Sequence, residues 1–181
     1  MPQIDRVQSV IEAQQREFPR LDYSAKGIAA RLVRLGTVFI AAIERVAARF
    51  GLSANEYVVL CVLRGSGRPF RLPPKAIIPL MPLSSGGLTN ILHGLAARGL
   101  IVRLPDPSDR RGVLIQMTPE AVKLIDLAIA AHVAEEHRMI MALPLNERRV
   151  LEKLLSKLLL AVDPVPETVA PRLQKARRAS S

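Results

Sequence analysis

The feature that most constrains the fold is a segment in the middle of the chain whose apolar residues recur with the period of an α-helix. Over residues 85–98 they lie at positions i, i+3, i+4, i+7 and i+8, which predicts one buried stripe along a helix. These residues are Leu88, Ile91, Leu92, Leu95 and Ala96. Gly99 follows where the C-cap of such a helix is expected. The segment therefore predicts an amphipathic helix with one face against a core.

The opposite face of this helix carries short, polar and neutral side chains. They are Ser85, Thr89, Asn90 and His93. Strand-like runs follow over residues 100–104 and 113–117, and the polar turn PDPSDRRG joins them, with Arg110 and Arg111 placed at its tip. Such a helix can enter the major groove of DNA, and the arginines can reach the narrow, electronegative minor groove. The pattern predicts a winged helix that binds DNA.

The charge of the chain favours a polyanionic partner. Its 181 residues give room for one sizeable domain or two small ones, and they carry a formal net charge of +10. Between Arg64 and Arg111 only Asp106 and Asp109 are acidic. The basic residues of this segment are Arg64, Arg68, Arg71, Lys75, Arg98, Arg103, Arg110 and Arg111. A basic surface kept only for solubility is the alternative, but its coincidence with the predicted helix and hairpin favours DNA.

Other classes of function find little support in the sequence. Cys61 is the only cysteine and lies in the apolar run YVVLCVL, so we expect a buried thiol without a redox role and a cytoplasmic protein. No apolar stretch approaches the ~20 residues of a membrane span. The segment HVAEEH, from His132 to His137, matches no zinc-protease spacing and offers too few ligands for a closed zinc site. We find no catalytic constellation, and we expect neither an enzyme nor a cofactor or metal.

Further helices are predicted on both sides of the helix–hairpin unit. They are expected over residues 2–18, 25–50, 53–64, 73–80, 119–142 and 145–162, and Ser53 with Glu56 forms a capping-box pattern. This organisation divides the chain into N-terminal helices over residues 1–50, a winged-helix lobe over 51–118 and C-terminal helices over 119–162. Residues 163–181 form a basic tail with prolines, which we expect to be disordered. The apolar residues of the terminal helices cover more than one face, which indicates a second chain as neighbour.

At these residues the chain resembles the MarR family of bacterial transcription regulators. The motifs that carry the resemblance are LSSGGLTN, the turn formed by Leu95, Arg98, Gly99 and Leu100, DPSDRRG, and LIQMTPEA. The resemblance covers roughly residues 24–162. It implies a mainly α (α+β) fold with a winged helix-turn-helix lobe, and N- and C-terminal dimerisation helices over residues 1–50 and 119–162. It also implies a homodimeric repressor that a small ligand releases from a near-palindromic operator. The alternatives are a non-specific architectural DNA-binding protein and a metal- or thiol-dependent sensor.

The resemblance also assigns roles to single residues. It implies that Arg111 enters the minor groove while Asp109 holds the loop, although both arginines of the wing could instead contact only phosphates. Asn90 suits an adenine edge. Ser84 and Ser85 suit phosphate at the N-terminus of the helix. The DNA-binding candidates are Ser84, Ser85, Thr89, Asn90, His93, Arg98, Arg103, Asp109, Arg110 and Arg111.

The ligand is expected to be aromatic or acyl. The segments EFPRLDYS and SSGGLTN resemble the urate-responsive branch of the family, which handles urate with a Trp, an Asp and an Arg. We align these positions with Gln14, Val58 and Ile91, which supply no ring, carboxylate or cation. We therefore expect no response to urate. An apolar pocket between the long helix and the DNA-binding lobe, lined by Phe39, Val58 and Val62, would suit an aromatic or acyl ligand better.

Overall fold

Helices dominate the computed structural model, which describes residues 5–80, 85–107 and 109–164, except for the side chains of Ser85 and Arg110. Within these residues there are seven α-helices and three strands. The helices are α1 (Arg6–Glu17), α2 (Lys26–Arg49), α3 (Ala54–Gly65), α4 (Pro74–Ile77), α5 (Ser85–Ala97), α6 (Pro119–Ile140) and α7 (Leu145–Val162). A 3-10 turn at Ile78–Leu80 extends α4. The strands are β1 (Arg71–Leu72), β2 (Ile101–Asp106) and β3 (Asp109–Met117). The mainly α fold is confirmed, and the predicted tail lies outside the described residues from position 165.

The chain divides into two compact units, Met1–Ile43 and Glu44–Ser181. In the first unit Arg31 joins α1 to α2. Its guanidinium donates to Asp5 at 2.9 Å, to Gln8 Oε1 at 3.1 Å and to the carbonyl oxygen of Gly27 at 3.0 Å. No helix of the described part of the chain is long and apolar enough to span a membrane.

Capping residues fix the helix ends in the second unit. The Ser53 hydroxyl accepts the backbone N–H of Glu56 at 3.2 Å, and Glu56 Oε2 accepts the backbone N–H of Ser53 at 2.8 Å. The predicted capping box is therefore confirmed. Thr118 caps α6 by accepting the N–H of Ala121 at 3.2 Å. Gly99 ends α5 with φ of +66°, a conformation that glycine adopts without strain.

The apolar stripe of α5 is part of the core of the second unit. Leu88, Leu92 and Leu95 are buried, while Ile91 and Ala96 are half-buried. Burial of each leucine stabilises the fold by about 1.5–3 kcal/mol. α5 contacts α3 and β2, and α3 also contacts α6 and β3. The predicted buried face is confirmed, and it holds the polar face of α5 at the surface.

The hairpin is longer than the sequence predicts, and its arginines are not at the tip. β3 is the central strand in the order β1-β3-β2, and its pairing with β2 continues to Asp106 and Asp109 after a register shift at Pro105. Arg110 and Arg111 therefore lie within β3, so their placement at the tip of the turn was wrong. The strand bounds were predicted from the alternation of apolar residues, which indicates burial. The strands themselves are held together by backbone hydrogen bonds, which polar residues form as well. The two-residue strand β1 was missed for the same reason.

The last two helices differ in burial. α6 buries Ala121, Ile125 and Ala128. No residue of α7 is buried. The exposed large apolar residues of α7 are Leu145, Val150, Leu151, Leu154, Leu155, Leu158, Leu159, Leu160 and Val162. α7 thus presents an extended apolar surface within the single chain.

Candidate nucleic-acid interface

The exposed face of α5 carries the side chains that the sequence assigns to the major groove. Thr89, Asn90 and His93 are all exposed, on the side opposite the buried leucines. Ser85 is the first residue of α5, and Ser84 lies outside the described residues. These side chains are short and can form hydrogen bonds, and the major groove admits an α-helix. The face can therefore approach base edges closely.

The start of β3 is held by Asp109. Its Oδ1 accepts the backbone N–H of Arg111 at 3.0 Å. Next to it, a Cβ added to Gly112 would lie 2.9 Å from Asp106 Cβ, which is closer than real Cβ contacts, and 3.0 Å from Asp109 Cβ. A glycine is therefore required at this position. The sequence indicated a supporting role for Asp109 but gave no signal for the crowding at Gly112.

The described basic side chains near this surface are not equivalent. Arg103 on β2 and Arg111 on β3 are exposed, with no side-chain partner among the residues that the structure describes. Arg98, by contrast, donates to Glu56 Oε1 at 3.2 Å and to the carbonyl oxygen of Gly51 at 2.9 Å. Arg103 and Arg111 are thus available to a polyanion, whereas Arg98 is engaged within the chain.

The residues proposed to line a ligand pocket fall in both units. Phe39 belongs to the first unit, and Val58 and Val62 lie one helical turn apart on α3 in the second. All three are half-buried.

In the first unit, Gln14 lines a groove of about 230 Å³ together with apolar residues of α1 and with cationic side chains. The other lining residues are Arg6, Val7, Val10, Ile11, Lys26, Ala30 and Arg34.

Cys61 and His132 both lie near Tyr57 in the second unit. The Tyr57 hydroxyl is 3.0 Å from His132 Nδ1, and Glu136 Oε1 is 3.7 Å from His132 Nε2. Burial raises the pKa of the Cys61 thiol, and a hydrogen bond with Tyr57 offsets part of that effect. Among the described residues no three metal-binding side chains form a cluster.

Comparison with known proteins places this geometry in a family. A family model described as the MarR family matches residues 50–112. Over 151 residues the chain is 29% identical to the HTH-type transcriptional regulator PecS of Dickeya dadantii, covering 83% of this chain and 91% of that protein. Over 109 residues it is 31% identical to the multiple antibiotic resistance protein MarR of Salmonella typhimurium, covering 60% of this chain and 74% of that protein.

A solved structure shows the same fold. CouR from Rhodococcus jostii RHA1, bound to p-coumaroyl-CoA, superposes with a TM-score of 0.65 and 28% identity. The match covers 76% of this chain and 92% of that chain. The recognition-helix and hairpin geometry, the sequence identity and the fold agree. The chain belongs to the MarR family, whose members are transcription regulators.

Proposed function

We propose that the protein is a homodimeric, ligand-released repressor that binds a near-palindromic operator in the bacterial cytoplasm. The observation that carries the proposal is the exposed, neutral polar face of α5 in the same compact unit as a hairpin with free arginines. Base contacts specify a DNA sequence, whereas phosphate contacts position the protein. The polar face of α5 offers hydrogen-bonding groups that suit base contacts. The arginines of the hairpin suit contacts with phosphates.

The roles of the individual residues follow from their positions. Asn90 would bond an adenine edge, with Thr89 and His93 beside it on the groove-facing side. Ser84 and Ser85 would donate to phosphate at the N-terminus of α5, where the helix dipole favours an anion. On the hairpin the cationic residues would contact the minor groove and the backbone, while Asp109 keeps the strand in place. These hairpin residues are Arg103, Arg110 and Arg111.

The exposed apolar surface of α7 supports a dimer. Leu154 and Leu159 each expose 59% of their surface. Exposing so many apolar residues of one helix to water is unfavourable in free energy and marks a site of protein–protein contact. A second copy of the chain would cover them. A two-fold dimer places its recognition helices about 34–36 Å apart, one turn of DNA, which requires two half-sites in inverted repeat.

The effector would be an aromatic or acyl compound. The apolar, half-buried Val58 and Val62 support this. CouR, which is 28% identical, has been solved with an aromatic acyl thioester. An effector releases DNA only through its different affinity for the two states of the dimer. In this protein it would favour a spacing of recognition helices that does not match successive major grooves.

The effector class is tested by titrating the protein–DNA complex with urate, with a panel of aromatic acids and with their coenzyme A thioesters. We expect release by a member of the panel and none by urate, because Gln14, Val58 and Ile91 provide neither a cation nor a ring for a buried planar anion. Val58→Asp should abolish the release while operator binding persists. Release by micromolar urate would contradict the alignment of those three positions.

The DNA sequence is found by selecting duplexes from a random library with the full-length protein. The dissociation constant of the enriched duplex, called here the selected duplex, is then compared with that of a scrambled duplex of equal composition. We expect tighter binding of the selected duplex by about 10³-fold or more at physiological salt. Equal affinity for the two would support an architectural DNA-binding protein instead. Loss of DNA binding on mild oxidation or on removal of zinc would favour a metal- or thiol-dependent sensor.

A further inference from the structure

The two carboxylate oxygens of Glu56 serve two different elements. Oε2 accepts the backbone N–H of Ser53 and closes the capping box of α3, and Oε1 accepts from Arg98 just after the end of α5. Only 15% of the Glu56 side chain is exposed, against 41% for Arg98. A carboxylate that is mostly withdrawn from water depends strongly on its hydrogen-bond donors.

The Arg98 guanidinium reaches a second anchor. Its Nη2 donates to the carbonyl oxygen of Gly51 at 2.9 Å, in the turn between α2 and α3. The backbone of α5 also lies close to this network, because a Cβ added to Gly94 would be 3.7 Å from Glu56 Oε1. One planar, multidentate group thus joins the end of α5 to the start of α3, a geometry that lysine cannot reproduce.

We propose that Arg98 is a positioning residue, which fixes the recognition helix α5 on α3 through Glu56 and Gly51 and does not itself contact DNA. The proposal rests on the proposed function, because the helix that it positions is the one expected in the major groove. Base-edge hydrogen bonds need a helix held to within a fraction of an ångström, and displacing α5 weakens several contacts together. It also replaces our expectation from the sequence that Arg98 binds DNA.

Dependence on salt separates a positioning arginine from a phosphate-binding one. Each phosphate contact releases condensed counterions, so the slope of log affinity against log salt falls by about one when a contacting cation is removed. An arginine that acts only within the protein leaves this slope unchanged when it is replaced. The contact between Arg98 and Glu56 makes a second prediction. Replacing either residue should reduce the affinity for DNA by the same factor.

The experiment uses full-length protein, the selected duplex and three variants with one control. Arg98→Met removes the cation. Glu56→Gln keeps an amide oxygen for the Ser53 N–H, and so the capping box, but offers Arg98 no carboxylate. The double variant combines them. The control is Arg103→Met, which removes an exposed arginine without a side-chain partner among the described residues.

We expect each single variant to lose about tenfold in affinity for the selected duplex, and the double variant to lose no more than either. All three should keep the wild-type salt slope, whereas Arg103→Met should lower it by about one for each protomer bound. Without DNA, amide hydrogen exchange in the last turn of α5 should rise by about tenfold in the two single variants and stay unchanged in the control.

Two results would overturn the proposal. One is a reduced salt slope for Arg98→Met, which would identify a phosphate contact. The other is Glu56→Gln protein with wild-type affinity and wild-type exchange. Failure of the proposed function is recognised separately, because wild-type protein would then bind selected and scrambled duplexes equally, while the exchange measurement without DNA would still report on the contact between Arg98 and Glu56.

Discussion

At the scale of single residues, the start of β3, next to the turn of the hairpin, combines a fixed backbone with an exposed cation. The Asp109 carboxylate accepts the backbone N–H of Arg111, Gly112 leaves room for Asp106 and Asp109, and the Arg111 side chain is exposed. A long arginine that starts from a fixed backbone loses less conformational entropy on binding than one on a mobile loop. This arrangement suits a cation that enters a narrow groove.

Replacing Arg111 with Ala should weaken binding to the selected duplex by about 1–3 kcal/mol, as expected for the loss of a specific arginine contact. Fluorescence anisotropy at fixed salt measures the change. Arg16→Ala, on the exposed surface of α1, removes the same charge and should have little effect. Unchanged affinity of the Arg111 variant would show that this arginine of the β2–β3 hairpin does not contribute to DNA binding.

Asn90→Ala should relax specificity more than it lowers affinity in general, because an amide that reads a base contributes little to non-specific binding. The measurement compares the dissociation constants of the selected and scrambled duplexes for wild type and variant. Their ratio should fall by about tenfold or more, corresponding to about 1–3 kcal/mol of discrimination. If both affinities fall by the same factor, Asn90 does not read a base.

Cys61 should react slowly with alkylating reagents. Burial raises its pKa, so at any given pH a smaller fraction of the thiol is present as the reactive thiolate, and the midpoint of the rate against pH moves upward. Iodoacetamide labelling across pH 7–10, with free cysteine as reference, tests the direction. A midpoint below that of free cysteine would contradict the structure and support a thiol sensor.

At the scale of secondary-structure elements, the sequence predicted the features that depend on neighbouring residues, namely helix ends and the buried face of a helix. The capping box of Ser53 and Glu56, the Gly99 C-cap and the buried stripe of α5 all follow from residues within a few positions of one another. Each is confirmed. The helical bounds of α2, α5 and α7 also agree with prediction to within one residue at each end.

Features that depend on distant parts of the chain could not be predicted. The strand β1 forms only because Arg71 and Leu72 find β3 more than forty residues later. The partners of Arg98 lie 42 and 47 residues earlier, so the sequence could show a cation near a predicted DNA-binding helix but not the acceptors that hold it. The sequence therefore assigned this charge to DNA, whereas the structure shows its guanidinium hydrogen-bonded within the chain.

At the scale of the whole molecule, the exposed apolar surface of α7 is the feature that the proposed dimer would cover. Deleting the chain after Ala142 removes this helix and should yield monomer or aggregate, since the surface that α7 would cover in the dimer becomes exposed. Sedimentation velocity measures the outcome. A chain that ends after Asp163 keeps α7 and is the matched control, for which we expect a dimer. A well-behaved dimer without α7 would place the interface elsewhere.

The proposed dimer requires two recognition helices to bind two half-sites of one operator at the same time. Inserting five base pairs between the half-sites of the selected duplex turns them to opposite faces of the DNA, and inserting ten base pairs returns them to the same face. For a rigid dimer matched to one helical turn we expect the five-pair insertion to reduce affinity by about a hundredfold or more. Equal affinity for the original and five-pair duplexes would contradict this requirement.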